Sequence, residues 1–145
     1  MKWHRRFLSM ADLIASWSKD PSTKVGAVIV DSKRRIISTG YNGFPHRAQD
    51  TPVPREQKLL RTVHAEVNAI LFAQRSLENN TIYVTHHPCA QCAAKIAQTG
   101  ISTVVCWTPP EEFYFRWLTD IEESQAILKE SGVSLVLVDP YESQD

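Results

Sequence analysis

Three cysteines in 145 residues are too few for a disulfide framework, and two of them, Cys89 and Cys92, stand in one C-x-x-C. That usage fits a reducing compartment, so a cytoplasmic location is expected. Net charge is also missing, because 16 Lys and Arg balance 16 Asp and Glu with no run of one sign. Long nucleic acid needs a concentrated basic surface, so no polynucleotide partner is expected, whereas one or two placed cations would hold a mononucleotide phosphate. No apolar run approaches the roughly 20 residues of a membrane span, so no membrane partner is expected either. Lys2, Arg5 and Arg6 before Phe7, Leu8 and Met10 imitate a secretory signal. Asp12 interrupts that stretch and Trp17 to Asp20 make a poor cleavage region. Neither an internal repeat nor a low-complexity segment is visible. What the chain does have is 43% hydrophobic against 22% charged residues, enough core for a single domain expected to run over 1–145.

Apolar residues at Trp3, Phe7, Met10, Ile14 and Trp17 recur at helical spacing, predicting an amphipathic helix that Asp20 and Pro21 end. Val25 to Val30 and Arg35 to Tyr41 read as a β-hairpin about a turn at Asp31 to Arg34. Residues 42–61, with Pro45, Pro52 and Pro54, read as an exposed loop, too long for a mere connector and suited to a lid or binding segment. Helices are expected from Val63 to about Arg75, Cys89 to Gln98 and Thr119 to Ser131. Strands are expected at Thr81 to Thr85, Ile101 to Trp107 and Val133 to Val138. The order αββαβαβαβ calls for a layered α/β sheet of five strands.

Two short motifs carry chemistry: His64-Ala65-Glu66 and Pro88-Cys89-Ala90-Gln91-Cys92, each at the expected start of a helix. Cys89 and Cys92 share a helix face, and a helix N-terminus favours thiolates through its amides and dipole. Two thiolates with a neutral imidazole from His64 would neutralise Zn²⁺ and leave one tetrahedral position for water. Glu66 is the candidate to move protons. Two positions apart on a helix point roughly 200° apart by the 3.6-residue period, so Glu66 and His64 converge only at the helix end. Glu66 is thus a neighbour of the metal and not a ligand. The structural alternative recruits His86 or His87 as a fourth ligand and closes the site.

The joint pattern H-x-E with P-C-x-x-C is the signature of zinc-dependent nucleobase deaminases. Together with Val25 to Val30, Gly40-Tyr41-Asn42-Gly43-Phe44-Pro45, Val63 to Ile70 and Tyr83-Val84-Thr85, it makes the chain resemble deoxycytidylate (dCMP) deaminases from about Asp20 to Trp107. Arg116-Trp117 and the last helix and strand are also similar. The resemblance implies a three-layer α-β-α cytidine-deaminase-like fold with a five-stranded mixed sheet. It implies hydrolysis of dCMP to dUMP and ammonia, which supplies thymidylate synthesis, in a hexamer activated by dCTP and inhibited by dTTP. Mg²⁺ could accompany a bound effector. Carried over residue by residue, His64, Cys89 and Cys92 match the zinc ligands and Glu66 the proton shuttle. Asn42 matches a sugar contact, Ala65 a backbone amide to the pyrimidine, and the Thr85 region carbonyls for the amine. Some members hold a second zinc through further cysteines; with none before Cys89, one zinc per chain is expected here.

Other assignments are less directly marked. Lys24, after Ser22 and Thr23, and Arg116 are candidates for the 5′-phosphate. Gly43, Phe44, His46, Arg47 and Lys58 in the proline-rich loop are candidates for an effector site, with Phe72 and Arg75 transmitting its effect at a subunit interface. Trp107, ending a strand, is expected near the substrate, whereas Trp3, Trp17 and Trp117 are expected to pack helices. Cys106 is expected in the core, and His4 and His46 on the surface. The rival substrates are cytidine, tRNA adenosine and single-stranded DNA. The non-enzymatic rival is a zinc-stabilised nucleotide sensor, in which Glu66 would be superfluous.

Overall fold

β-Branched segments become strands here, and the three central ones are covered on both sides. The computed structural model describes residues 1–142. Along the chain run α1 (Lys2–Ala15), β1 (Gly26–Val30), β2 (Ile36–Tyr41), α2 (Arg55–Arg61), α3 (Ala65–Ala73) and β3 (Thr81–Val84). There follow α4 (Ala90–Gln98), β4 (Thr103–Trp107), α5 (Glu111–Arg116), α6 (Leu118–Glu130) and β5 (Ser134–Val138). The sheet order is β2-β1-β3-β4-β5, with β1 antiparallel to both neighbours and β3, β4 and β5 parallel. Parallel neighbours need long crossovers, which α4 and the α5–α6 segment supply. The mixed five-stranded sheet is the one expected.

Every residue of β1 is buried, and the period of two divides its side chains between two cores. Val28 and Val30 join Phe7, Leu8, Ala11 and Ile14 of α1, while Ala27 and Ile29 join Ala65, Ala69, Ala93, Ile96 and Leu128 of α3, α4 and α6. The result is three layers, α-β-α. Cys106 is fully buried in the second core, as expected of a small apolar side chain. Gly40 lets α3 press onto β2, since a Cβ there would stand 2.5 Å from the backbone of both Ala65 and Ala69. Close seating of α3 matters, because its first turn carries His64, Ala65 and Glu66.

Two helices depart from the sequence expectation. α2 lies inside the segment read as loop, and α5 lies in the break before the last long helix. Neither buries a residue, so neither shows the apolar stripe from which a helix is read. α1 stops at Ala15, short of Lys19, where Ser18 turns inward to donate its hydroxyl to the Asn42 carbonyl at 2.8 Å. α3 ends at Ala73, before Arg75, in a left-handed Gln74. His4 is half-buried and bonded to the Tyr83 hydroxyl, not free on the surface.

Candidate metal and catalytic site

His64 and Cys89 occupy the same structural position, the N-cap, on two neighbouring helices. Both have extended backbone, with φ and ψ of −69° and 153° at His64 and −71° and 168° at Cys89. α3 and α4 pack on one face of the sheet, so their N-termini bring the two motifs together. His64 Nδ1 lies 3.2 Å from Cys92 Sγ and 3.7 Å from Cys89 Sγ. The three donor atoms all fall within 4.8 Å of one another. Ligands held at zinc distances around a tetrahedral ion stand about 3.5–3.8 Å apart, the scale of these contacts. An imidazole and two soft sulfurs at that spacing fit zinc.

The electrostatics match. Hydrogen bonding with Cys92 and with His64 brings the Cys89 thiol down to about 4 against the opposing effect of burial. The same pairing, with burial, pushes Cys92 up, and a divalent cation would take the place of the thiol protons. His64 is raised by its bond to Cys89. The Cys92 amide also donates to Cys89 Sγ at 3.4 Å, which orients that sulfur. Glu66, one residue into α3, is 4% exposed, and burial raises its carboxyl pKa. Two residues after an N-cap in extended conformation, its side chain shares the His64 side of the helix end, which a continuous helix would not allow.

His64, Glu66 and Cys89 line a cleft of about 270 Å³, with Cys92 buried behind it. Asn42, Ala65 and Lys58 line it as well. Asn42 is buried and held at both ends: its Oδ1 accepts the Val25 N–H at 2.8 Å and its Nδ2 donates to the Thr23 carbonyl at 2.9 Å. Beside it Asp20 accepts Lys58 Nζ at 2.8 Å and the Ser22 and Thr23 amides. Burial tends to raise the Asp20 carboxyl, but Lys58 and the two amides outweigh it and hold the carboxyl below its usual 3.8.

Other expected residues lie elsewhere. Thr85 is buried, its hydroxyl accepting the Gly26 amide at 3.2 Å and meeting His86 Nδ1 at 2.7 Å. Trp107 does not line the cleft: its indole N–H donates to the Asp12 carboxylate under α1, at 3.2 Å. Lys24 is exposed and off the lining, and Arg116 borders a separate surface hollow beside Ala90 and Asp120. Gly43, Phe44 and Lys58 line a second cavity of about 360 Å³ with Lys19, Asp20, Asp50, Pro52 and Val53. His46 and Arg47 are exposed and line neither space, and Phe72 and Arg75 are exposed beyond α3's buried face. His86 and His87 line the cleft without joining the sulfur and imidazole donors among the described residues.

Sequence reasoning passed over Arg55, Leu59 and Thr62 of the α2 segment, and Phe113 within α5 and Trp117 at its C-cap, all in the cleft wall. Trp117 lines the opening instead of packing a helix, with its ring 6.4 Å from that of Phe113 and Phe113 the same distance from His86. The spacing of four between Phe113 and Trp117 was the available signal.

The family described as "Cytidine and deoxycytidylate deaminase zinc-binding region" matches residues 1–108. An uncharacterized deaminase from the luxG 3′ region of Aliivibrio fischeri is 54% identical over 136 residues, covering 92% of each chain. A probable deoxycytidylate deaminase of Caenorhabditis elegans is 41% identical, with 80% of this chain covered, and the human deoxycytidylate deaminase is 36% identical, with 72% covered. The chain spans 62% and 64% of the length of those two enzymes. Among solved structures, the dCMP deaminase of cyanophage S-TIM5 in complex with dCMP and dUMP superposes with a TM-score of 0.76 at 24% identity. That superposition covers 92% of this chain and 95% of the other, and it establishes the fold. A family match across residues 1–108 and a relative at 54% identity along nearly the whole length lead to one conclusion: the chain belongs to the cytidine and deoxycytidylate deaminase family.

Proposed function

We propose that this chain is one catalytic domain that hydrolyses dCMP to dUMP and ammonia, with one zinc ion per chain held by His64, Cys89 and Cys92. The observation that carries the reading is the buried Glu66 carboxyl lining one cleft with His64 and Cys89, two of the three clustered donors. Relatives named deoxycytidylate deaminase, at 41% and 36% identity, support the choice of substrate. Zinc, when bound, supplies acidification of a water molecule toward neutral pH. Glu66 would carry one proton from the attacking water to the pyrimidine ring nitrogen, and then carry the second, from the hydroxyl newly joined to the ring carbon, to the amine as its bond to that carbon breaks. Burial suits the task, because it raises the carboxyl and so favours the protonated form that a proton carrier must pass through. Ala65, at the first position of α3, offers its amide to the base, and Asn42, fixed at both ends, meets the sugar. Backbone carbonyls near Thr85 receive the amine.

The phosphate reading shifts from Lys24 and Arg116 to α2, whose Arg55 and Lys58 are cleft-lining cations one turn apart. Lys58 is already paired with Asp20, so Arg55 is the principal phosphate partner. The effector reading falls on the neighbouring cavity, where Gly43, Phe44 and Lys58 would receive dCTP, an activator, or dTTP, an inhibitor, with Mg²⁺ on the triphosphate. Asp20, Lys58 and Thr62 line both spaces, which gives an effector a physical route to the cleft. Phe72, exposed on α3, suits a subunit contact in a cytoplasmic hexamer. Ammonia release from dCMP, deoxycytidine and a single-stranded oligonucleotide, with and without dCTP and dTTP, tests the whole reading. Turnover confined to dCMP is expected; equal turnover of deoxycytidine would remove the phosphate from recognition.

A further inference from the structure

The turn that presents Cys89 belongs to no strand or helix, and a different element holds it in place. The Ser124 hydroxyl, fully buried on α6, donates to the Pro88 carbonyl at 2.8 Å. Asp120, four residues earlier on the same face of α6, accepts the Ala90 amide with both carboxylate oxygens, at 3.2 and 3.3 Å. The His87 ring reaches the Pro88 carbonyl through Nδ1 at 2.9 Å and meets Gln125 Nε2 through Nε2 at 3.4 Å. The peptide group before Cys89 and the one after it are therefore both clamped by α6. With both planes held, Cys89 keeps only its side-chain torsion, and the Cys92 amide on its sulfur restricts that as well. A ligand whose backbone is held on both sides costs less to order when the metal arrives.

We infer that Asp120 and Ser124 of α6, aided by Gln125 through His87, are positioning residues for the metal centre, presenting Cys89 at the distance zinc requires. The inference rests on the zinc reading proposed above. α6 lies outside the matched residues 1–108, so this support is a property of the chain's own C-terminal part. None of the three side chains touches the donor atoms, and their effect passes through the turn. Removing outer partners of a ligand typically costs about 10–100-fold in metal affinity or activity.

The test is zinc affinity by competition with a chromophoric chelator, together with the visible spectrum of the Co²⁺-substituted protein. Asp120→Ala and Ser124→Ala are expected to weaken zinc binding by about 10–100-fold and to move the Co²⁺ bands, whereas Asp120→Asn, which keeps an acceptor, stays within about threefold of wild type. Leu128→Val, on the same helix with no bond to the turn, controls for destabilisation and should leave both readouts in place. Wild-type affinity and an unchanged spectrum in Asp120→Ala and Ser124→Ala would overturn the inference. So would an equal loss in Leu128→Val. A wild-type chain that holds no zinc would instead overturn the reading of the site, a result recognisable before any variant is made.

Discussion

Two cavities share the Asp20–Lys58 wall and are built in opposite ways. The catalytic cleft is floored by the ends of regular elements, α3 and α4 seated on the sheet, and Asn42, Glu66 and His87 in it are buried. The neighbouring cavity is walled by proline-rich loop, and its outer ion pair, Lys19–Asp50, leaves those side chains 78% and 53% exposed. Within residues 42–54, the regular pairing comes from the Gly43–Val63 bridge. The proposed chemistry therefore falls where regular elements fix the backbone, and the proposed effector site falls where side chains can rearrange at little cost. The shared pair lies between these extremes, with Lys58 and Asp20 at 20% and 10% exposure.

The widest gap between the two regions should appear on metal removal. Stripping zinc with a chelator should lower dCMP turnover by about 10³-fold or more, with recovery on adding zinc back, since a Lewis acid supplies several kcal/mol to such a reaction. Turnover insensitive to chelation would erase the distinction between the cavities. Next in size, Glu66→Gln should cost about 10²–10⁴-fold in kcat while metal content stays at wild-type level, the range for a lost general acid and base. Activity surviving in that variant would refute the proton assignment. Arg55→Ala should raise KM for dCMP by about 10–100-fold and leave deoxycytidine kinetics alone, the scale of one charge-assisted hydrogen bond.

The shared wall makes a smaller, pH-dependent prediction. Because the folded Asp20 carboxyl sits below 3.8, its pairing stabilises the protein fully above that value and is lost as pH falls through the folded pKa. Asp20→Asn should therefore flatten the acid side of a plot of melting temperature against pH. An unchanged acid limb would show that the wall contributes no such stability. Lys19→Ala, at the open edge of the second cavity, should leave the melting curve where it is, because an exposed pair is screened by solvent.

Much of this was legible along the chain because the signals were local. The continuously buried β1 is announced by its run of Val and Ile, and Asp31 marks its own turn by accepting the Lys33 and Arg35 amides. His64, Glu66, Cys89 and Cys92 were identifiable because the spacing within each motif is itself the geometry. α2 and α5 were hidden, having no buried face to produce a period. Trp107 and Trp117 exchanged roles for a related reason. A tryptophan at an element's end reads the same way in either setting, and only the packing of α1 against β4 carries Trp107 away from the cleft.

By itself, then, the sequence determined the order of the five strands and of the four helices that bury a face, the donor set for a metal and the carboxyl that accompanies it. These follow from residue type and short-range spacing, which the chain cannot conceal. Only the tertiary structure decided which distant cations and aromatics share the cleft, that Asp20 and Lys58 divide it from a second cavity, and that α6 clamps the turn before α4. Those are contacts between residues more than twenty positions apart, and no local periodicity encodes which helix a loop will meet.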